Sequence, residues 1–171
     1  MSGGKALSDG GGATLSAPEL EGVELMYKVV VVGTDGSATA DKAVQAAADV
    51  ARSWGSELHI VTAVKAPRVS AGSVTGGPMM DPGMGQAVAE GAAQTVGEKA
   101  IEAYGQGLKA EAHAGQGNPD DVILATAVDV GADLIVVGSK GMRGARRYLG
   151  SVPNSVAHAA HCAVLIVKTD D

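Results

Sequence analysis

The chain has 171 residues, 46% of them hydrophobic, with a formal net charge of −6, one cysteine, one Trp, three Tyr and no Phe. That length allows one well-buried domain, and the acidic balance argues against a general nucleic-acid binder, which presents a basic face. A lone Cys162 cannot close an internal disulfide, which points to a reducing, cytoplasmic setting, and no apolar run approaches the ~20 residues that a membrane helix needs.

Residues 1–25 are rich in Gly, Ser and Ala and lack a continuous apolar segment, so they read as a disordered N-terminal tail with no secretory signal. Met26 directly precedes the first strand and is an alternative translation start, with the domain expected over 26–169. The Val run of "KVVVVG" (28–33) suits a central strand buried on both faces. Helical spacing over 37–55 ends at Gly55, and "ELHIVTAV" (57–64) reads as a second strand. The Pro- and Gly-rich stretch 65–85 is a connection, carrying Met79, Met80 and Met84, which suit either a lid over a bound base or a mobile loop with no role. A second helix is expected over about 86–104, interrupted by Gly91 and Gly97. Then come a short strand at 108–114, a helix from Pro119 to Val130 and a strand at 133–138. A helix at 151–161 and a strand at 163–168 complete the pattern. Strands alternating with helices imply a parallel α/β sheet covered on both faces.

Such sheets bind ligands at the carboxyl ends of the strands, where the strand order reverses. Strand one exits into "GTDGS" (33–37) and strand four into "GSKGMRGARRYLGS" (138–151). In the order 3-2-1-4-5 these turns share one crevice; in the order 2-1-3-4-5 strand one would instead adjoin strand three and its exit "AGQGNP" (114–119). The unusual sequence favours the first. Glycines allow a ligand close to the backbone, and successive amides in such a turn make an anion-binding concavity. Ser151 suits the N-cap of the following helix, with Pro153 in its first turn, and that helix start attracts phosphate. Lys140, Arg143, Arg146 and Arg147 add positive charge. Asp35 suits a ribose hydroxyl, a metal held through water, or the cap of the helix beginning near Ser37. A Walker P-loop and a strand-one G-x-G-x-x-G are both missing.

"GTDGS" after a Val-rich strand, together with "GSKG…GSVPNSVAHAAHCAVLIVK", resembles the universal stress protein family over about residues 26–169. The family's ATP-binding members carry G-x2-G-x9-G-[ST]; this chain reads Gly138-x2-Gly141-x8-Gly150-Ser151, one residue shorter. The resemblance implies a single-domain, Rossmann-like open sheet of five parallel strands in the order 3-2-1-4-5. It further implies a homodimer paired through the last strand, 163–168. It places Gly33, Thr34 and Asp35 near adenine and ribose, with Ala63 touching adenine through its backbone. Val137 and Gly138 would flank ribose and phosphates, with Gly141, Gly150, Ser151 and Val152 around the triphosphate and Arg143 beside it. The expected ligand is ATP with Mg²⁺, or cyclic AMP. The implied role is regulatory, in a stress response and through a partner protein; a nucleotide-free dimeric scaffold is the alternative.

Other candidates weigh less. His158, His161 and Cys162 lie close in sequence but lack a further converging ligand, so no metal site is expected there. His59 reads as a half-exposed or packed strand residue, and His113 lies on the third strand away from the crevice. No Ser–His–Asp arrangement assembles, so no catalytic residue is assigned, and only slow ATP hydrolysis is compatible with the chain.

Overall fold

Four consecutive valines need a site that is dry on both sides, and β1 (Val29–Gly33) supplies it at the middle of the sheet, where Val30, Val31 and Val32 are fully buried. The structure, a computed structural model, describes residues 26–64, 82–139 and 152–169. The expected tail 1–25, Met79 and Met80 and the loop residues Lys140, Gly141, Arg143, Arg146, Arg147, Gly150 and Ser151 lie outside the described residues.

Around β1 the chain lays down α1 (Ala38–Trp54), β2 (Glu57–Val64), α2 (Pro82–Tyr104), β3 (Ala110–Gln116), α3 (Pro119–Asp129), β4 (Leu134–Gly138), α4 (Val152–Ala159) and β5 (Ala163–Val167). The five strands are parallel in the order β3-β2-β1-β4-β5, which decides between the two orders compatible with the alternation. β1 pairs with β2 on one side (Val30 with Leu58) and β4 on the other (Val30 with Leu134). The reversal of strand order thus falls between β1 and β4.

Alternation along each strand builds two cores. Val30, Val32, Leu58, Ile60, Leu134 and Val136 face α1 and α2, where Ala43, Val44, Ala47, Ala48 and Ala51 of α1 are fully buried. The small alanines let the helix approach the sheet closely. Val31, Val61, Ile135 and Val137 face the other way, against Val122, Ile123 and Ala127 of α3 and Val156 of α4. α1 starts on Ser37, whose hydroxyl accepts from the Ala40 amide at 3.2 Å, and ends on Gly55, whose φ of 68° only glycine adopts freely. At the same end, Trp54 meets Tyr27 edge-on, with ring centroids 6.1 Å apart.

Several boundaries differ from expectation for physical reasons. α2 begins at Pro82, not near 86, since proline is at home in a first helical turn. Gly97 sits inside α2 because a Cβ there would stand 2.8 Å from the Cβ of Ala112; the glycine lets helix and strand touch. β3 runs two residues later than the expected 108–114, and α4 stops short of His161. The order of elements and their types are as expected.

Candidate functional site

The first turn after β1 is organised by its own side chains. Thr34 accepts from the Gly36 amide through Oγ1 at 3.1 Å, and Asp35 accepts from the Ser37 amide through Oδ1 at 3.0 Å. These short loops hold the chain bent straight into α1. The Thr34 amide itself donates to the Val61 carbonyl, extending the β1–β2 ladder past the end of β1. On the other side of the reversal, the Ser139 amide donates to the Val167 carbonyl, and Ser139 Oγ accepts from the Thr169 amide at 3.1 Å. Thr169 is thereby folded back over the end of β4.

Between these two ends lies a cavity of about 310 Å³. Its lining is apolar at Val61, Ala63, Ile123, Val137, Val152 and Pro153 and polar at Thr34, Asp35, Ser37 and Thr39. This size and mixture, a mostly apolar cleft with a few placed polar groups, is that of a small-molecule site. Three helices begin at it: Ser37 and Ala40 bring the start of α1, Pro119 that of α3, and Val152 and Pro153 that of α4. A helix start carries the positive end of a dipole, so three starts at one cavity favour an anion, although Ser37 already takes the Ala40 amide and Pro119 and Pro153 carry none.

Seven of the expected site residues, Gly33, Thr34, Asp35, Ala63, Val137, Gly138 and Val152, line this one cavity although they come from four separate segments. The other four, Gly141, Arg143, Gly150 and Ser151, lie outside the described residues. The sequence reading missed Ile123, Pro153 and Thr169, whose place in the wall depends on long-range packing. It also understated why glycines stand here. A Cβ on Gly33 would fall 2.5 Å from Ile123 Cδ1, and one on Gly138 would fall 2.9 Å from Thr169 Cγ2. Both glycines are required by the protein's own packing before any ligand is considered.

The family model for the universal stress protein family matches residues 26–168. The chain belongs to the universal stress protein family. Universal stress protein YxiE of Bacillus subtilis is 34% identical over 151 residues, spanning 84% of this chain and all of that protein. Universal stress protein MJ0531 of Methanocaldococcus jannaschii is 31% identical, spanning 85% of this chain and 84% of that one. Among solved structures, a universal stress protein in complex with cAMP superposes with a TM-score of 0.68 at 30% identity, covering 85% of this chain and 99% of the other. Among the described residues no helix is long and apolar enough to cross a membrane.

Among the secondary candidates, one contact was not foreseen. His158 closes α4, while His161 and Cys162 follow it in the turn to β5. Burial and the nearby Asp133 carboxylate raise the Cys162 thiol above its ordinary value. His59 is packed, as read, but it is also joined to His113: Nδ1 of one and Nε2 of the other are 2.9 Å apart. Nothing local in the sequence brings these two together, for they are 54 residues apart and meet only through the β2–β3 register.

Proposed function

We propose that this universal stress protein binds an adenine nucleotide, ATP or cyclic AMP, in the cavity between the ends of β1 and β4, and acts by binding rather than catalysis. The observation that carries the reading is the convergence of three helix starts and the Asp35 turn on one apolar-walled cavity. The residues suit the group. Aliphatic lining from Val61, Ala63 and Ile123 suits a flat base, whose edge the Ala63 backbone would read. The Asp35 carboxylate can accept from ribose hydroxyls, and the amides at the helix starts suit phosphate oxygens. Gly141, Arg143, Gly150 and Ser151 complete the proposal on the phosphate side. With ATP, Mg²⁺ enters on the phosphates and offsets their charge. Further support comes from the relative solved with cAMP, at 30% identity.

The proposal extends to a cytoplasmic homodimer paired through 163–168, regulating a protein partner. β5 is an edge strand, and Leu165 and Ile166 on it are 38% and 37% exposed; a second copy would cover that edge. The one-residue shortening before Gly150 favours the second reading, a scaffold that dimerises without nucleotide.

The test is direct. Freshly purified protein is denatured and its supernatant chromatographed for ATP, ADP and cyclic AMP; melting is then followed with each nucleotide, with and without Mg²⁺. A ligand that binds only the folded state stabilises it by about 2.7 kcal/mol at a hundredfold excess over its Kd. Asp35→Ala should shrink that shift, with its own unliganded melting temperature as the reference. No released nucleotide and no shift with any of the three would leave the scaffold reading standing.

A further inference from the structure

His59 and His113 share the α3 side of the sheet with Glu57 and Glu111, because odd-numbered residues of β2 and β3 point the same way as the buried Val31 and Val61. In the register, His59 stands beside Glu111, and His113 lies one step further on, beside Val61. The ligand atoms of His59, Glu111 and His113 all lie within 4.8 Å of one another. His59 is 7% exposed, His113 is half-buried and Glu111 is open to solvent, so the cluster has a closed floor and an open mouth at the β3 edge.

From this cluster we infer that His59, His113 and Glu111 form a binding site for a divalent transition-metal ion of the zinc type. Two imidazoles and one carboxylate are a donor set that such ions take, with a further position left for water. The two imidazole nitrogens, now 2.9 Å apart, need to open only to about 3.3 Å to share a tetrahedral ion at Zn–N distances of about 2.0–2.1 Å. Each ring then carries its proton on its other nitrogen. For His59 that is Nε2, which lies 3.9 Å from Oε2 of Glu57. Metal-bound histidines commonly hold such an outer carboxylate, which fixes ring and tautomer. Glu57 is itself held by the Lys109 ammonium.

The site stands apart from the nucleotide cavity. None of His59, Glu111 and His113 lines that cavity, although Val61, beside His113 in the register, does. Between them, β2 offers its beginning to a cation and its end to the cavity.

The experiment uses the full chain, freed of any affinity tag and stripped with chelator, and titrates Co²⁺ while recording its visible d–d absorption. The expected result is one Co²⁺ per chain with intense bands of low coordination number, displaced by an equivalent of Zn²⁺. His113→Gln and Glu111→Gln, both on the edge strand, should abolish and weaken the bands respectively, and Glu57→Gln should weaken affinity by about tenfold. His161→Gln should leave them unchanged. Circular dichroism melting of each variant shows that it is folded; His59→Gln is read only if it passes that check. Absence of the bands, or bands that survive His113→Gln and Glu111→Gln in folded protein, would overturn the inference and leave the histidine pair as an internal hydrogen bond.

Discussion

Thr169 occupies the space that a side chain on Gly138 would need: a Cβ there would meet its Cγ2 at 2.9 Å and the Ala43 Cβ at 3.8 Å. Thr169 is 3% exposed and tied back through its amide to Ser139 Oγ, so it cannot simply swing away. Gly138→Ala is therefore expected to lower stability by about 1–3 kcal/mol, the usual cost of overpacking. Thr169→Ser removes the colliding methyl, and most of that loss should disappear in the double variant. Chemical denaturation of the four proteins of the cycle measures the coupling. A loss unaffected by Thr169→Ser would place the strain elsewhere. Substitutions at Gly138 must accordingly be scored for stability before any loss of nucleotide is attributed to the cavity.

Thr62 Oγ1 is buried without a hydrogen-bond partner on β2, in a residue 6% exposed. A buried hydroxyl left unpaired costs about 1–3 kcal/mol, and valine has nearly the same shape and a preference for strands. Thr62→Val should raise the denaturation midpoint without changing the slope of the transition, a gain of about 1 kcal/mol. An unchanged or lowered midpoint would mean that the hydroxyl is solvated in the native protein.

Asp133 reaches across from the start of β4 to the start of β1: one carboxylate oxygen accepts from the Lys28 amide at 2.8 Å and from the Val29 amide at 3.0 Å. It ties together strands 104 residues apart in sequence and sets the register in which Val30 faces Leu134. Asp133→Ala is expected to cost about 1–2 kcal/mol, held below the fully buried figure because this end is partly open to water. Hydrogen exchange should rise at the amides of Lys28 and Val29 before it rises in the middle of β1. Uniform loss of protection would argue against a local clamp.

The edge of β5 gives the fourth prediction. Ile166→Lys places a charge on an exposed strand position and should convert a β5-paired dimer into monomer by light scattering, with little effect on the far-ultraviolet spectrum. A dimer that persists in Ile166→Lys uses another surface.

The strands could be read from the sequence because parallel strands are apolar almost throughout, as in "VVVV" and "LIVV", and the helices because their alanines recur on one face. The two possible orders could not be separated by periodicity; the resemblance carried by the glycine turns favoured the one found. Boundaries failed where tertiary contact overrides propensity. Gly115 reads as the end of a strand, yet it lies inside β3 because a Cβ there would strike Val122 Cγ1 at 2.5 Å. The cavity was half legible. Its glycines and Asp35 announce themselves as turns, whereas Ile123 and Thr169 look like ordinary packing residues until the sheet closes around them. The His59–His113 contact had no local sign at all, for it depends on one step of register between two strands.

The scarcity of aromatic residues has a practical side. Trp54 is the chain's one indole, and it sits at the last turn of α1 beside Tyr27, whereas the cavity is at that helix's first turn. Seventeen helical residues separate the two ends by about 25 Å. The built-in fluorophore thus watches the seam where helix and sheet come apart, and it is blind to whatever occupies the other end. Emission at long wavelength will follow unfolding, while occupancy has to be read from outside that seam, by released ligand or by the melting shift.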